Sequence, residues 1–105
     1  MFEIFELFRG DTFLKQFDSD YTFRVGDKLH TAVMNNAYDN AYLFEKTIEF
    51  TEETNSFVLE MSPERTKTFP IQRLLLEIEL TMRDGFVRTN QYTLNVKVDG
   101  IRGKN

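Results

Sequence analysis

The chain has no cysteine and no tryptophan, and its 105 residues include one histidine, two prolines and five glycines. Without cysteine there is no disulfide framework, no thiol nucleophile and no thiolate metal site. A single histidine, His30, excludes a multi-histidine metal centre and is read as a half-exposed strand residue. No linker, internal repeat or low-complexity segment is visible, and no apolar run approaches the roughly 20 residues of a membrane-spanning helix. The start, Met1-Phe2-Glu3, lacks the basic leader of a signal peptide, so export by that route is not expected. Basic charge is also short. Seventeen acidic residues against thirteen basic ones give a net charge of −4, which argues against nucleic acid or an anionic membrane as partner. No glycine-rich phosphate loop and no elbow around a serine nucleophile occurs.

What is present is aromatic. Eleven phenylalanines and four tyrosines suit strands and a packed core rather than disorder. At this length, residues 1–105 are read as a single domain. Its organising stretch runs from Phe69 to Val98. Leu74, Leu76, Ile78, Leu80 and Met82 alternate with Arg73, Glu77, Glu79 and Thr81, the pattern of a strand with one face in a core. Arg83-Asp84-Gly85 marks a turn, and Tyr92, Leu94, Val96 and Val98 alternate with polar residues on the way back. A two-residue Asp84-Gly85 turn would leave Ile78 opposite Gln91 and turn Tyr92, Leu94 and Val96 outward. The expected remedy is one extra residue on the second strand: a three-residue Asp84-Gly85-Phe86 loop would absorb it but turn Arg88 and Asn90 inward, so a β-bulge between Thr89 and Gln91 is favoured, pairing Ile78 with Tyr92 and Leu76 with Leu94.

The rest of the chain reads as further strands. Phe2–Phe8 is apolar at Phe2, Ile4, Phe5, Leu7 and Phe8, and is either buried on both faces or set against a partner. Phe13–Phe17 leads into Asp18-Ser19-Asp20, after which Tyr21, Phe23 and Val25 alternate with Thr22 and Arg24. Lys28–Asn35 follows the Gly26-Asp27 break, and Asn35–Asn40 is loop-like. Tyr42–Phe50 and Ser56–Met61 are expected to pair as a hairpin across Thr51–Asn55. Ser62-Pro63-Glu64 begins a helical turn, with Ser62 as cap and Pro63 at the first helical position, and Phe69-Pro70 ends it. Asp99–Asn105 is read as a frayed tail. About seven strands at turn spacings near 8–12 residues define an all-β, antiparallel sandwich with one short helical turn.

Several of these landmarks, in this order, resemble a family of small phage and prophage immunoglobulin-like domains found at the N-terminus of baseplate upper proteins and in related tail or fibre components. They are Arg9-Gly10-Asp11-Thr12 after a first strand, Tyr21–Val25, Gly26-Asp27-Lys28-Leu29, Phe57–Thr66, the strand into Asp84-Gly85, Thr89, and Leu94–Asp99. The chain departs from the pattern at Phe69-Pro70-Ile71-Gln72, where the family often has a glycine-containing turn, and it stops where many relatives continue into a second region. The resemblance implies an immunoglobulin-like fold and a non-enzymatic structural or adaptor module, made in a bacterial host's cytoplasm and located in the virion. It also implies partners that are other virion proteins or further copies of itself, as a homo-oligomer or part of a larger assembly. Two other classes stay open: a small β-barrel holding an apolar ligand in an aromatic-lined cavity, and a carbohydrate-binding β-sandwich using exposed tyrosines.

No catalytic, cofactor-binding or metal site is expected. Arg9-Gly10-Asp11 is read as a turn rather than an adhesion motif. Asp18-x-Asp20 lacks the remaining ligands of a calcium loop. Glu77 and Glu79 lie roughly 7 Å apart on one strand face, whereas glycosidase carboxylates flank a cleft. The aromatics exceed what the core needs, and the surplus supplies interface candidates: Phe2, Ile4, Phe5, Phe8, Tyr38 and Tyr42.

Overall fold

The computed structural model describes residues 3–38 and 41–98. The chain is all-β, with seven strands in two sheets and one helical turn: β1 (Glu3–Phe8), β2 (Phe13–Phe23), β3 (Lys28–Met34), β4 (Phe44–Glu49), β5 (Thr54–Met61), α1 (Pro63–Thr66), β6 (Arg73–Thr81) and β7 (Val87–Lys97). One sheet has five strands in the order β1-β7-β6-β3-β4, and the other pairs β2 with β5. Second and fifth strands share one sheet and third, sixth and seventh the other, as in an immunoglobulin-type sandwich, but the first and fourth strands lie in the larger sheet rather than beside the second and fifth. Phe2, Asp39, Asn40 and the expected tail lie outside the described residues.

The core lies between the sheets and follows the alternation of the long hairpin. Leu74, Leu76, Ile78 and Leu80 face inward with Leu94 and Val96, all nearly inaccessible, and Tyr92 packs half-buried beside them. Phe13, Phe23, Leu59 and Met61 close the core from the smaller sheet, while Leu29, Thr31 and Val33 are its β3 contribution. The buried Thr31 hydroxyl donates to the Lys46 carbonyl at 2.8 Å, so no polar group is stranded there. On the outer face of the large sheet, Ala32, Met34 and Leu75 form a small separate apolar cluster.

Four expectations change. The sandwich is not wholly antiparallel, because β1 pairs in parallel with β7, Phe5 beside Leu94 and Leu7 beside Val96. A parallel pair needs a long crossover, and the whole intervening chain supplies it. The expected hairpin between the fourth and fifth strands does not form: β4 pairs with β3 and β5 with β2. Buried Phe50 marks this crossing between sheets, its ring stacked on Phe23 at 4.4 Å and its N–H donated to the Asp27 carbonyl at 3.1 Å. Asp18-Ser19-Asp20 does not divide two strands. It lies within β2, whose pairing with β5 shifts register between Asp18 and Phe23 and which stops before exposed Val25.

The fourth change is the hairpin register. The ladder is continuous, Leu74 opposite Leu94, Leu76 opposite Tyr92, Ile78 opposite Asn90 and Leu80 opposite Arg88, with no bulge between Thr89 and Gln91. The shift runs the other way from the one expected: the extra residue belongs to the first strand and is taken up at the turn. Gly85 N–H donates to the Met82 carbonyl and Met82 N–H to the Phe86 carbonyl, each at 2.8 Å, leaving Arg83-Asp84-Gly85 as a three-residue loop. Gly85 takes φ +94°, the left-handed position that closes such loops at little cost only for glycine. Tyr92, Leu94 and Val96 therefore face inward as their alternation requires, and Arg88 and Asn90 come to lie on the same face.

Candidate functional site

The consequence of that register is a cavity. At the end of the sandwich where β2 loses step with β5, a partly enclosed space of about 120 Å³ opens between the smaller sheet and the β6–β7 hairpin. Its aromatic wall is Phe17, Tyr21, Phe23, Phe57 and Tyr92, and its aliphatic floor is Leu29, Ile78 and Leu80. The rings support one another: Phe17 stacks on Phe57 at 5.0 Å, and Tyr92 sits 5.5 Å from Phe17. Asp18, Ser19, Arg88 and Asn90 also border the cavity. Asp18 accepts a hydrogen bond from the Gln16 amide at 3.0 Å, and Ser19 Oγ accepts the Tyr21 N–H at 2.9 Å. Arg88 and Asn90 have no side-chain partner among the described residues. Burial raises the Tyr92 phenol above its ordinary value, and Glu3 nearby adds to it, so this ring is neutral.

Beside the cavity stands a buried carboxylate. Asp27, 1 % exposed, accepts the Arg24 N–H and the Tyr21 hydroxyl on Oδ2, at 2.9 and 3.1 Å, and the Arg83 N–H on Oδ1 at 2.9 Å. Burial alone would raise its pKa. The two backbone donors, the Tyr21 hydroxyl and the Arg83 charge outweigh it and hold the carboxyl below its usual range. Tyr21 is raised by burial and by donating to that carboxylate. Gly26 makes the approach possible, since a Cβ there would meet Arg83 Cβ at 3.2 Å. Asp27 thus ties the β2–β3 turn to the β6–β7 turn, and its hydrogen-bonding capacity is spent on structure.

Thr66 plays the corresponding part at the other end. Fully buried, its hydroxyl accepts the Gly10 N–H at 3.1 Å and donates to the Asp11 carbonyl at 2.8 Å, fastening α1 to the β1–β2 turn. Ser62 caps α1 by accepting the Arg65 N–H at 3.2 Å, with Pro63 in the first turn as expected. Arg9-Gly10-Asp11 is accordingly a tight turn, closed by the Asp11 N–H on the Phe8 carbonyl at 3.0 Å.

The expected interface residues separate. Phe5 is half-buried against the chain's own core, its ring stacked on Tyr92 at 5.2 Å and edge-on to Phe17 at 5.7 Å. Ile4 and Phe8 point outward from β1 and are 48 % and 44 % exposed, with Lys97 Nζ 5.8 Å from the Phe8 ring and ion-paired to Glu6 at 2.9 Å. Tyr38 is 94 % exposed, and Tyr42 sets its ring at an angle to His30. These two belong to the β3–β4 connection, three strands away from β1 in the sheet, so the candidates form no single patch.

His30 pairs with Glu45 across β3 and β4. Glu77 accepts the Gln91 amide at 2.9 Å on the outer sheet face. Among the described residues no three His, Cys, Asp or Glu side chains gather as a metal site, and no helix is long and apolar enough to cross a membrane. The sequence reading missed Asp27 and Thr66, and it placed Arg88 and Asn90 inward only under a three-residue loop that it set aside for the bulge. An aspartate following glycine in a turn was the available signal for the first, whereas Arg88 and Asn90 depend on the loop length.

No family model, curated protein or solved structure matches this chain.

Proposed function

We propose that this chain is a non-enzymatic structural or adaptor module of a phage or prophage virion, in a tail, baseplate or fibre, working by protein–protein assembly. The observation that carries the assembly part is the edge formed by β1. Among the described residues it pairs on one side only, with β7, and its other side borders an open cleft of about 520 Å³ shared with the start of β2. Main-chain groups along an unpaired edge are a template for another strand, and Ile4 and Phe8 set apolar surface beside them. The virion assignment rests on the resemblance of the landmark stretches from Arg9 to Asp99. Further copies of the chain or other virion proteins are the partners this reading names.

Tail or baseplate genes flanking the coding sequence, and the chain's presence in purified particles, are the results expected. A setting of unrelated metabolic genes, with the chain absent from particles, overturns the virion reading. Persistence of a monomer at high concentration and in the presence of the neighbouring structural proteins overturns assembly.

A further inference from the structure

Two features of the sandwich fall at the same place. On β7 the inward positions run Val96, Leu94, Tyr92 and then turn polar at Asn90 and Arg88. Across the space between the sheets, β2 gives up its regular pairing with β5 between Asp18 and Phe23. Asn90 and Arg88 are exposed at the mouth of the space between the sheets, where polar side chains are ordinary, whereas a break in the β2–β5 ladder is not what a core built for stability alone would carry. Register breaks of this kind recur beside binding sites, where they re-aim side chains. Here both border the same aromatic-walled cavity.

We propose that this cavity is a binding pocket for a compact apolar group bearing a carboxylate, with Arg88 as the partner of the anion. Size sets the apolar part. The space of about 120 Å³ is smaller than drug-sized pockets and somewhat smaller than the cavity of about 150 Å³ that takes benzene, so the group is of leucine side-chain size. Charge sets the rest. The Arg88 guanidinium has no partner among the described residues and offers the planar fork that carboxylates accept. Asn90, two residues along the same face, supplies a further donor. Asp18 borders the cavity from β2 and already accepts from Gln16, so the ligand's anion belongs on the β7 side. This chemistry is offered equally by a free carboxylic acid and by the carboxyl-terminal residue of another polypeptide.

The test is a titration of methyl-labelled protein, followed by NMR, with 4-methylpentanoate, its uncharged amide, and a short peptide ending in leucine with a free carboxyl group. The acid is expected to shift the methyl signals of Leu29, Ile78 and Leu80, and the amide to bind about tenfold more weakly. Arg88→Gln, an exposed change that leaves the core intact, should cost the acid a similar factor, and Asp18→Asn should tighten it about twofold by removing a like charge. Tighter binding of the peptide than of the acid identifies a polypeptide terminus as the source, and binding of the acid alone identifies a small molecule. Unmoved methyl signals with both acid and peptide, equal binding of acid and amide, or indifference to Arg88→Gln overturns the proposal.

Discussion

Asp27 Oδ1 accepts the backbone N–H of Arg83 at 2.9 Å, joining two turns that are 56 residues apart in the chain. Replacing Asp27 by alanine orphans the N–H groups of Arg24 and Arg83 and frees the Tyr21 hydroxyl. A charged acceptor serving buried donors is worth about 1.5–3 kcal/mol per bond, so chemical denaturation should report a loss of about 3 kcal/mol or more. A loss within the range of ordinary surface changes would show that the two turns hold together without it.

The same carboxylate sets an acid dependence. Its folded pKa lies below the ordinary 3.8, so its stabilisation is fully present above that value and is lost as pH falls through the folded pKa. Stability curves of the parent and of Asp27→Asn should therefore stand apart near neutrality and converge below about pH 3.8. Parallel curves throughout the acid range would contradict the shift.

On β1, neighbouring residues should behave in opposite ways. Phe5→Ala removes a ring packed on Tyr92 and Phe17 and should cost about 2 kcal/mol, less than a fully buried phenylalanine. Ile4→Lys with Phe8→Ser alters exposed positions, should leave the melting temperature nearly unchanged, and should weaken any association through this edge. Sedimentation of both variants alongside thermal melts separates the two roles. Equal destabilisation by both changes would refute the division of β1 into an inner and an outer face.

The hairpin register can be trapped chemically. Met82 N–H donates to the Phe86 carbonyl, so by alternation Glu79 and Thr89 form a non-hydrogen-bonded pair whose Cα atoms approach closely. Glu79→Cys with Thr89→Cys should oxidise to an intramolecular disulfide, and Glu79→Cys with Gln91→Cys should not. The reverse outcome would restore the bulged register.

Ile78→Asp tests the core itself. Ile78 is 4 % exposed on the inward face of β6, and an unpaired carboxylate there costs several kcal/mol, a large share of a small domain's stability. Loss of cooperative unfolding is expected, and a melt like the parent's would place Ile78 outside the core.

Much of the fold was legible because side-chain alternation is a local property. Leu74, Leu76, Ile78 and Leu80 declare an inward face whatever the rest of the chain does, and Ser62-Pro63 begins a helical turn through a cap and a fixed φ that need no distant partner. Pairing is not local. The periodicity of Phe44–Glu49 and Thr54–Met61 is the same whether they pair with each other or with β3 and β2, and the choice was made by burial of Phe50 against Phe23 and its bond to Asp27. Phe2–Phe8 looked apolar on both sides, yet packing against β7 assigned Phe5 and Leu7 to the core and left Ile4 and Phe8 outside. The candidate site was the least legible part. Arg88 and Asn90 face the cavity because Gly85 closes a three-residue rather than a two-residue loop, and a one-residue change of register moves every side chain of a strand to the other face. Alternation within each strand was thus set by the sequence itself, while partners, register and the cavity were decided by long-range packing, which brings together residues that no local pattern relates.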